Sequence, residues 1–192
     1  DVITDEHYRP AFDEGVRQKR AEIAAITANP AAADFDNTLL ALEQSGHLLN
    51  QVTSVFFAMT SAHTNDFLQQ LDEAFSTELA ELANDIYLDD ALFARVESVW
   101  HQREALGLDA ESLRLVETTY QKFVLAGATL SAEDKTTLKA LNTEAAALTS
   151  QFNQRLLAAD KAGGLVVDYV HQLDGLSAEE IASAAEAAKA KG

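Results

Sequence analysis

Five histidines (His7, His47, His63, His101 and His171) and a large surplus of carboxylates are the residues that bear most directly on chemistry. Two histidines four apart on a helix, with a glutamate beside the first, bind zinc and activate its water; that H-E-x-x-H pattern is absent. Only Glu43…His47 and Glu97…His101 place ligand types at that spacing. Two ligands fall short of the three protein ligands a catalytic zinc takes, so each reads first as an i,i+4 surface pair. Asp85, Asp89 and Asp90 cluster, but at a helix junction, where carboxylates cap backbone N–H groups more often than they act as paired acid and base. Phe56-Phe57 and Trp100 have the surface to hold a ligand, yet at helical spacing they read as core. No G-x-S-x-G, phosphate loop or dinucleotide fingerprint is present, and Gly163-Gly164 reads as a turn. The residues therefore assign no catalytic, metal-binding or cofactor-binding position, and leave any substrate-binding residue unknown.

The elements that carry these residues are helical. From Asp34 to Thr64, Leu39, Leu42, Leu49, Val52, Phe56 and Met59 recur at three, four and seven, which predicts one long central helix, capped by Asp34 or Asp36 and interrupted at Gly46, where close approach of another backbone is expected. Before it, Thr4 to Ala28 reads as a helix with Phe12, Val16, Ile23 and Ile26 or Thr27 on one face; Pro10 forces a kink or a separate opening turn. After it, Thr64 caps a helix with Leu68, Leu71, Phe75, Leu79, Leu82 and Ile86 inward. Asp89 caps one with Phe93, Val96 and Trp100, and Asp109 opens one with Leu113, Val116, Tyr120 and Phe123, ending near Gly127. Ser131 to Asp134 resembles a capping box, and Leu138, Leu141, Ala145, Leu148, Phe152 and Leu156 follow it at helical spacing.

Residues 165–170 break this grammar. Leu165, Val166, Val167, Asp168, Tyr169 and Val170 are β-branched and aromatic and predict a strand. A single strand leaves its backbone groups unpaired, so its partner is expected outside this chain, with pairing across a dimer or an extended loop as alternatives. Ser177 to Glu180 then forms a capping box for an alanine-rich last helix ending at Gly192. The expected architecture is all-α: an antiparallel bundle of about six to seven helices, with one short C-terminal strand lacking its partner. Residues 1–162 are expected as an N-terminal helical domain and 163–192 as a strand plus helix opening a region that continues further.

Composition sets outer bounds. With 31 acidic and 14 basic residues the net charge is −17, which repels phosphate backbones and anionic lipid, so neither nucleic acid nor membrane is an expected partner. The charge reads first as a solubilising surface; the sharper alternative is a negative wall that attracts cationic peptides or peptide N-termini. The chain has no cysteine, which excludes disulfides and thiolate metal sites and agrees with a reducing cytoplasm. No apolar run approaches the ~18 residues of a membrane span. The sequence begins at Asp1, so a targeting segment can have preceded it.

The wording of the chain adds what its periodicity does not. FDNTLLALEQSGHLLNQVTSVFFAMTSAHTND (35–66), LANDIYLDDALFARVESVW (82–100), RLVETTYQKFVLAGATLS (114–131), LNTEAAALTSQFNQRLLAA (141–159), GGLVVD (163–168) and GLSAEEIASAAEAAKAKG (175–192) resemble the N-terminal region of bacterial peptidyl-dipeptidases, the dipeptidyl carboxypeptidases of the thimet oligopeptidase family. HYRPAFDEGVRQKRAEIAAI (7–26) is similar to that family's opening segment, and residues 58–66 resemble peptidyl-dipeptidase more than oligopeptidase A. The resemblance implies a largely helical, two-lobed zinc metallopeptidase of the cytoplasm with a deep channel. It releases C-terminal dipeptides from short peptides. Its zinc ligands, an H-E-x-x-H and a further Glu, lie in a C-terminal half outside this chain. The chain is then a wall or cap of the channel, inactive alone and without bound zinc, and its partner is the catalytic half of the same polypeptide. The rival reading is a complete acidic helical adaptor for a peptide or partner helix.

Overall fold

Pro10 decides where the first long helix can begin. In the computed structural model, which describes residues 3–191, a 3-10 turn (Asp5–His7) precedes α1 (Tyr8–Thr27). Pro10 thus sits in the first turn, where its missing N–H has no intrahelical acceptor to lose. The separate opening turn, one of the two outcomes expected at this proline, is the one realised. Asp1 and Gly192, the expected limits of the chain, lie outside the described residues.

The expected single helix over 34–64 is three pieces. Asp34 caps a π-type turn (Phe35–Leu40), a one-turn α2 (Ala41–Gln44) follows, and α3 (His47–Ala62) starts after a break. The break is at Ser45-Gly46: Ser45 is extended and Gly46 has φ +78°, a left-handed conformation that glycine adopts without strain. The apolar spacing of three and four persists across the break, which is why periodicity alone reads through it. Close backbone approach, expected at Gly46, occurs at Gly15 instead: a Cβ there would lie 2.9 Å from Leu49 Cα. Gly46 faces the Lys19 side chain.

Later helices follow the expected order. Asn65, rather than Thr64, caps α4 (Asp66–Tyr87), taking the Leu68 N–H at 2.9 Å. Asp89 caps α5 (Asp90–Gln102) and Asp109 caps α6 (Ala110–Leu125). Gly127, at φ +98°, ends α6: its N–H bonds the Val124 carbonyl while Ala128 N–H bonds that of Phe123, the paired bonds of a Schellman stop. Ser131 accepts the Asp134 N–H at the start of α7 (Ala132–Ala162), and the Asp134 carboxylate returns to the Ser131 hydroxyl rather than to a backbone N–H.

The chain divides into two units, and the boundary, Gln151/Phe152, falls within α7. In the first unit contacts fix helix directions. Tyr8 meets Phe56, Gly15 meets Leu49 and Lys19 meets Ser45, so α1 and α3 are antiparallel. Asp5 meets Asn65, Phe12 meets Phe75 and Arg20 meets Asp85, so α4 runs parallel to α1. Asn84 accepts from Asn142 while Glu73 accepts from Gln151, so α7 runs back along α4. The all-α fold is borne out, with α1/α3 and α4/α7 antiparallel, α1/α4 parallel, and seven helices of thirteen residues or more among the described residues.

The core has two aromatic groups. Phe12 stacks on Phe75 at 3.9 Å, and Phe56 touches Tyr8, Phe57 and Phe75. Phe123 meets Tyr87 and Phe93, and Trp100 stacks on Tyr120 at 4.6 Å. Each fully buried phenylalanine of this set contributes about 1.5–3 kcal/mol by leaving water. The α7 stripe departs from expectation. Leu141 and Leu148 are exposed, and the helix meets α4 through Lys139, Asn142, Ser150 and Gln151.

In the second unit the expected strand is not formed. Residues 163–169 are irregular, Val170–Leu173 is a 3-10 turn, and no strand occurs among the described residues. The residues have strand propensity, but without a neighbour to accept their N–H groups propensity of about 1 kcal/mol is not enough to hold a strand. Ser177 and Glu180 do form the expected capping box, each side chain meeting the other's N–H, at the start of α8 (Ala178–Lys191).

Candidate functional site

The fold separates one of the two residue pairs that spacing brought into question. Glu43 belongs to α2 and His47 opens α3, with the Ser45-Gly46 turn between them, so they do not share one helix face. Glu97 and His101 do lie on one helix, α5. His7 closes the opening 3-10 turn, His63 follows α3, and His171 lies in the second unit beside Tyr169. Among the described residues no three His, Asp or Glu side chains converge on a point where a metal ion could sit.

The three clustered carboxylates have three separate attachments. Asp85 accepts from Arg20 of α1 at 2.7 Å and faces Lys139 of α7 at 3.8 Å. Asp89 takes the Leu92 N–H at 2.6 Å. Asp90 pairs with Lys135, whose stem is buried. They pin α1, α5 and α7 to the corner between α4 and α5, and none points at another in the manner of a shared-proton pair.

One arrangement that spacing does not reveal has the look of catalytic chemistry. Lys19 Nζ lies 2.6 Å from Ser45 Oγ, and burial pushes the Lys19 pKa down, opposed by Glu22 and Glu43. A lysine beside a buried serine is a nucleophile–base pair only if the serine proton is free to move to the amine. Here that proton is committed: Ser45 Oγ donates to the Leu42 carbonyl at 2.5 Å, and Lys19 donates to both Ser45 Oγ and the Ser45 carbonyl. Glu22 completes the cluster by accepting the Gly46 N–H at 2.6 Å. The group satisfies the backbone freed by the α2–α3 break. It borders an open groove of about 420 Å³ whose walls include Glu22, Asn29, Asn37 and Ser45.

Arg95 is a second residue unmarked by any motif. Its guanidinium donates to the carbonyls of Asn29 and Ala31 and to Asn37 Oδ1, tying the loop after α1 to the π-type turn. Asn37 also exchanges bonds with Asp34, its N–H to Asp34 Oδ1 and its Oδ1 from Asp34 N–H. Phe56 is fully buried, and Trp100 is covered by Tyr120 and by Arg103, 3.8 Å over its ring. Both aromatic candidates are therefore packing.

A further groove of about 410 Å³ lies along α4, lined by Gln70, Glu73, Ala74, Thr77, Glu78 and Glu81. Arg9 grips Glu78 with both terminal nitrogens, at 2.5 and 3.2 Å, and Gln151 donates to Glu73. Glu73 and Glu78 too are engaged in joining helices. Geometry thus yields a scaffold in which the polar clusters stitch elements together.

No protein-family model matches the chain. Curated relatives do. It is 71% identical over all 192 residues to the dipeptidyl carboxypeptidase of Escherichia coli (strain K12) and 72% identical over all 192 to that of Salmonella typhimurium (strain LT2). The chain spans 28% of the length of each. The resemblance read from residues 7–26 through 175–192 is borne out by these identities.

Proposed function

We propose that this chain is the N-terminal helical part of a dipeptidyl carboxypeptidase, a zinc metallopeptidase that releases dipeptides from the C-termini of short peptides. The observation that carries this reading is identity of 71–72% sustained over every residue of the chain. In it the 192 residues are wall or cap of a substrate channel. Residues 1–162 are its helical domain, and 163–192 open the region leading to the catalytic half. The partners are short peptides and that catalytic half; nucleic acid and membrane are not partners.

Zinc belongs to the catalytic half in this reading. The described residues do not fit it, since no three ligand side chains converge. The chain's part is then to shape and position, and the aromatic core with its interhelical ion pairs supplies the rigidity that a wall requires. A cytoplasmic location accords with the lack of cysteine, and no described helix is long and apolar enough to cross a membrane.

The test compares the full-length protein with the 192-residue chain on an N-blocked tripeptide, each with equimolar zinc. The full-length protein is expected to release the C-terminal dipeptide and the 192-residue chain to release none. Turnover by the short chain that survives purification controls overturns the assignment of the chemistry to the other half. Failure of the full-length protein to release dipeptides overturns the activity itself.

A further inference from the structure

From Gln151 onward no described residue is buried. This stretch nevertheless carries the two most exposed large apolar side chains among the described residues. Leu165 is 88% and Val166 85% exposed, and Phe152, Leu156, Tyr169 and Val170 are each more than half exposed. Phe152 and Leu156 are one helical turn apart and so adjacent on α7. A segment of about 40 residues with no buried side chain among those described cannot hold its fold by its own hydrophobic burial.

Its backbone is specified all the same. Gly163 N–H closes α7 on the Ala159 carbonyl at 2.7 Å, Gln172 takes the Tyr169 N–H, Gly175 turns at φ +103°, and Ser177 with Glu180 caps α8. Local signals thus shape a segment that lacks a core, and its uncovered side chains are of the kind that interfaces bury.

Two occupants are physically available, a second copy and further polypeptide. A net charge of −17 on each copy opposes self-association. Further polypeptide exists in abundance in the relatives, since the chain spans only 28% of their length. We propose that Phe152, Leu156, Leu165, Val166, Tyr169 and Val170 are an intramolecular docking surface, covered by an apolar face of the polypeptide that completes the peptidase. This rests on the reading of the chain as part of that longer protein. Docking there buries the apolar side chains of residues 165–170 and ties the helical wall to the catalytic half.

The test is amide hydrogen exchange on the full-length protein, read for peptides covering 152–173. Wild type is expected to exchange at least about tenfold more slowly there than an unstructured chain does. In Leu165→Ser/Val166→Ser that protection is expected to fall by at least about tenfold, while peptides of α1 and α3 keep theirs; Leu165→Met is expected to retain it. Unprotected 152–173 in wild type, or protection unchanged in the double serine variant, overturns the proposal. Protection that disappears on dilution from a dimer overturns it in favour of a second copy. Dipeptide release by the wild type, assayed on the same preparation, reports separately on the peptidase reading, so docking can fail while that reading stands.

Discussion

Glu14 shows what a single side chain does in this scaffold. Arg17 donates to it through Nε at 2.7 Å and Nη2 at 2.6 Å, and Gln18 adds a third bond at 2.9 Å. These donors, Arg17 first, hold the Glu14 carboxyl down to about 2. A carboxylate with a depressed folded pKa stabilises the fold above its unfolded value, and that contribution is lost as pH falls from about 4.5 toward 2. The pair is exposed, so its worth in stability is small, and its titration is the sharper readout. Carbon-detected NMR is expected to place the Glu14 midpoint near 2, and Arg17→Ala to return it toward the ordinary ~4.3. An ordinary midpoint in the wild type would mean that the fork is not populated in solution. At this scale the sequence was readable where a side chain acts on its own backbone. Asp34, Asp89, Asp109, Ser131 and Ser177 all sit at helix starts as their types predict. Asn65, not Thr64, is the cap of α4, and its amide also donates to Asp5 at 2.8 Å, a bond no local pattern announces.

Elements were less legible where their boundaries depend on a neighbour. Leucine and valine recur at three and four on both sides of Gly46, so periodicity joins α2 to α3; the break is instead held open by Lys19 and Glu22 of α1. Close packing of α1 on α3 falls to Gly15, an ordinary-looking glycine within an amphipathic run. Its missing side chain leaves room for Leu49, and a Cβ would stand 2.9 Å from Leu49 Cα and 3.1 Å from its N. Gly15→Ala raises helix propensity by about 1 kcal/mol, so a loss of stability isolates the clash. The variant is expected to be less stable by about 1–3 kcal/mol, read as a lower urea midpoint with the slope unchanged. A midpoint at or above that of wild type would show that α1 and α3 separate at little cost. The stripe on α7 teaches the converse. Its apolar spacing correctly marks a helix, but Leu141 and Leu148 lie on the face away from Asn142 and Ser150, which meet α4. A pattern in sequence shows that a face wants covering; it does not identify what covers it.

Over the whole molecule, burial and length are unevenly matched. Among the described residues every buried apolar side chain lies between Tyr8 and Ala128, and the last buried residue is Ser150. The interhelical roles of Lys19, Arg95 and Asp85 were not legible in the sequence, because each joins positions more than twenty residues apart. The distribution of burial makes a prediction about cooperativity. A chain ending at Gln151 keeps both aromatic groups, the Asn84–Asn142 bond and the Ser150 contact to Asp72. It is expected to unfold in one transition, with a urea midpoint corresponding to a change of no more than about 1 kcal/mol from the 192-residue chain. Phe56→Ala in that shortened chain removes a ring in contact with Tyr8, Phe57 and Phe75 and is expected to cost about 3–5 kcal/mol. If truncation instead costs as much as Phe56→Ala, the residues after 151 contribute to the folding core. The helical part would then owe its stability to the same segment that we assign to docking.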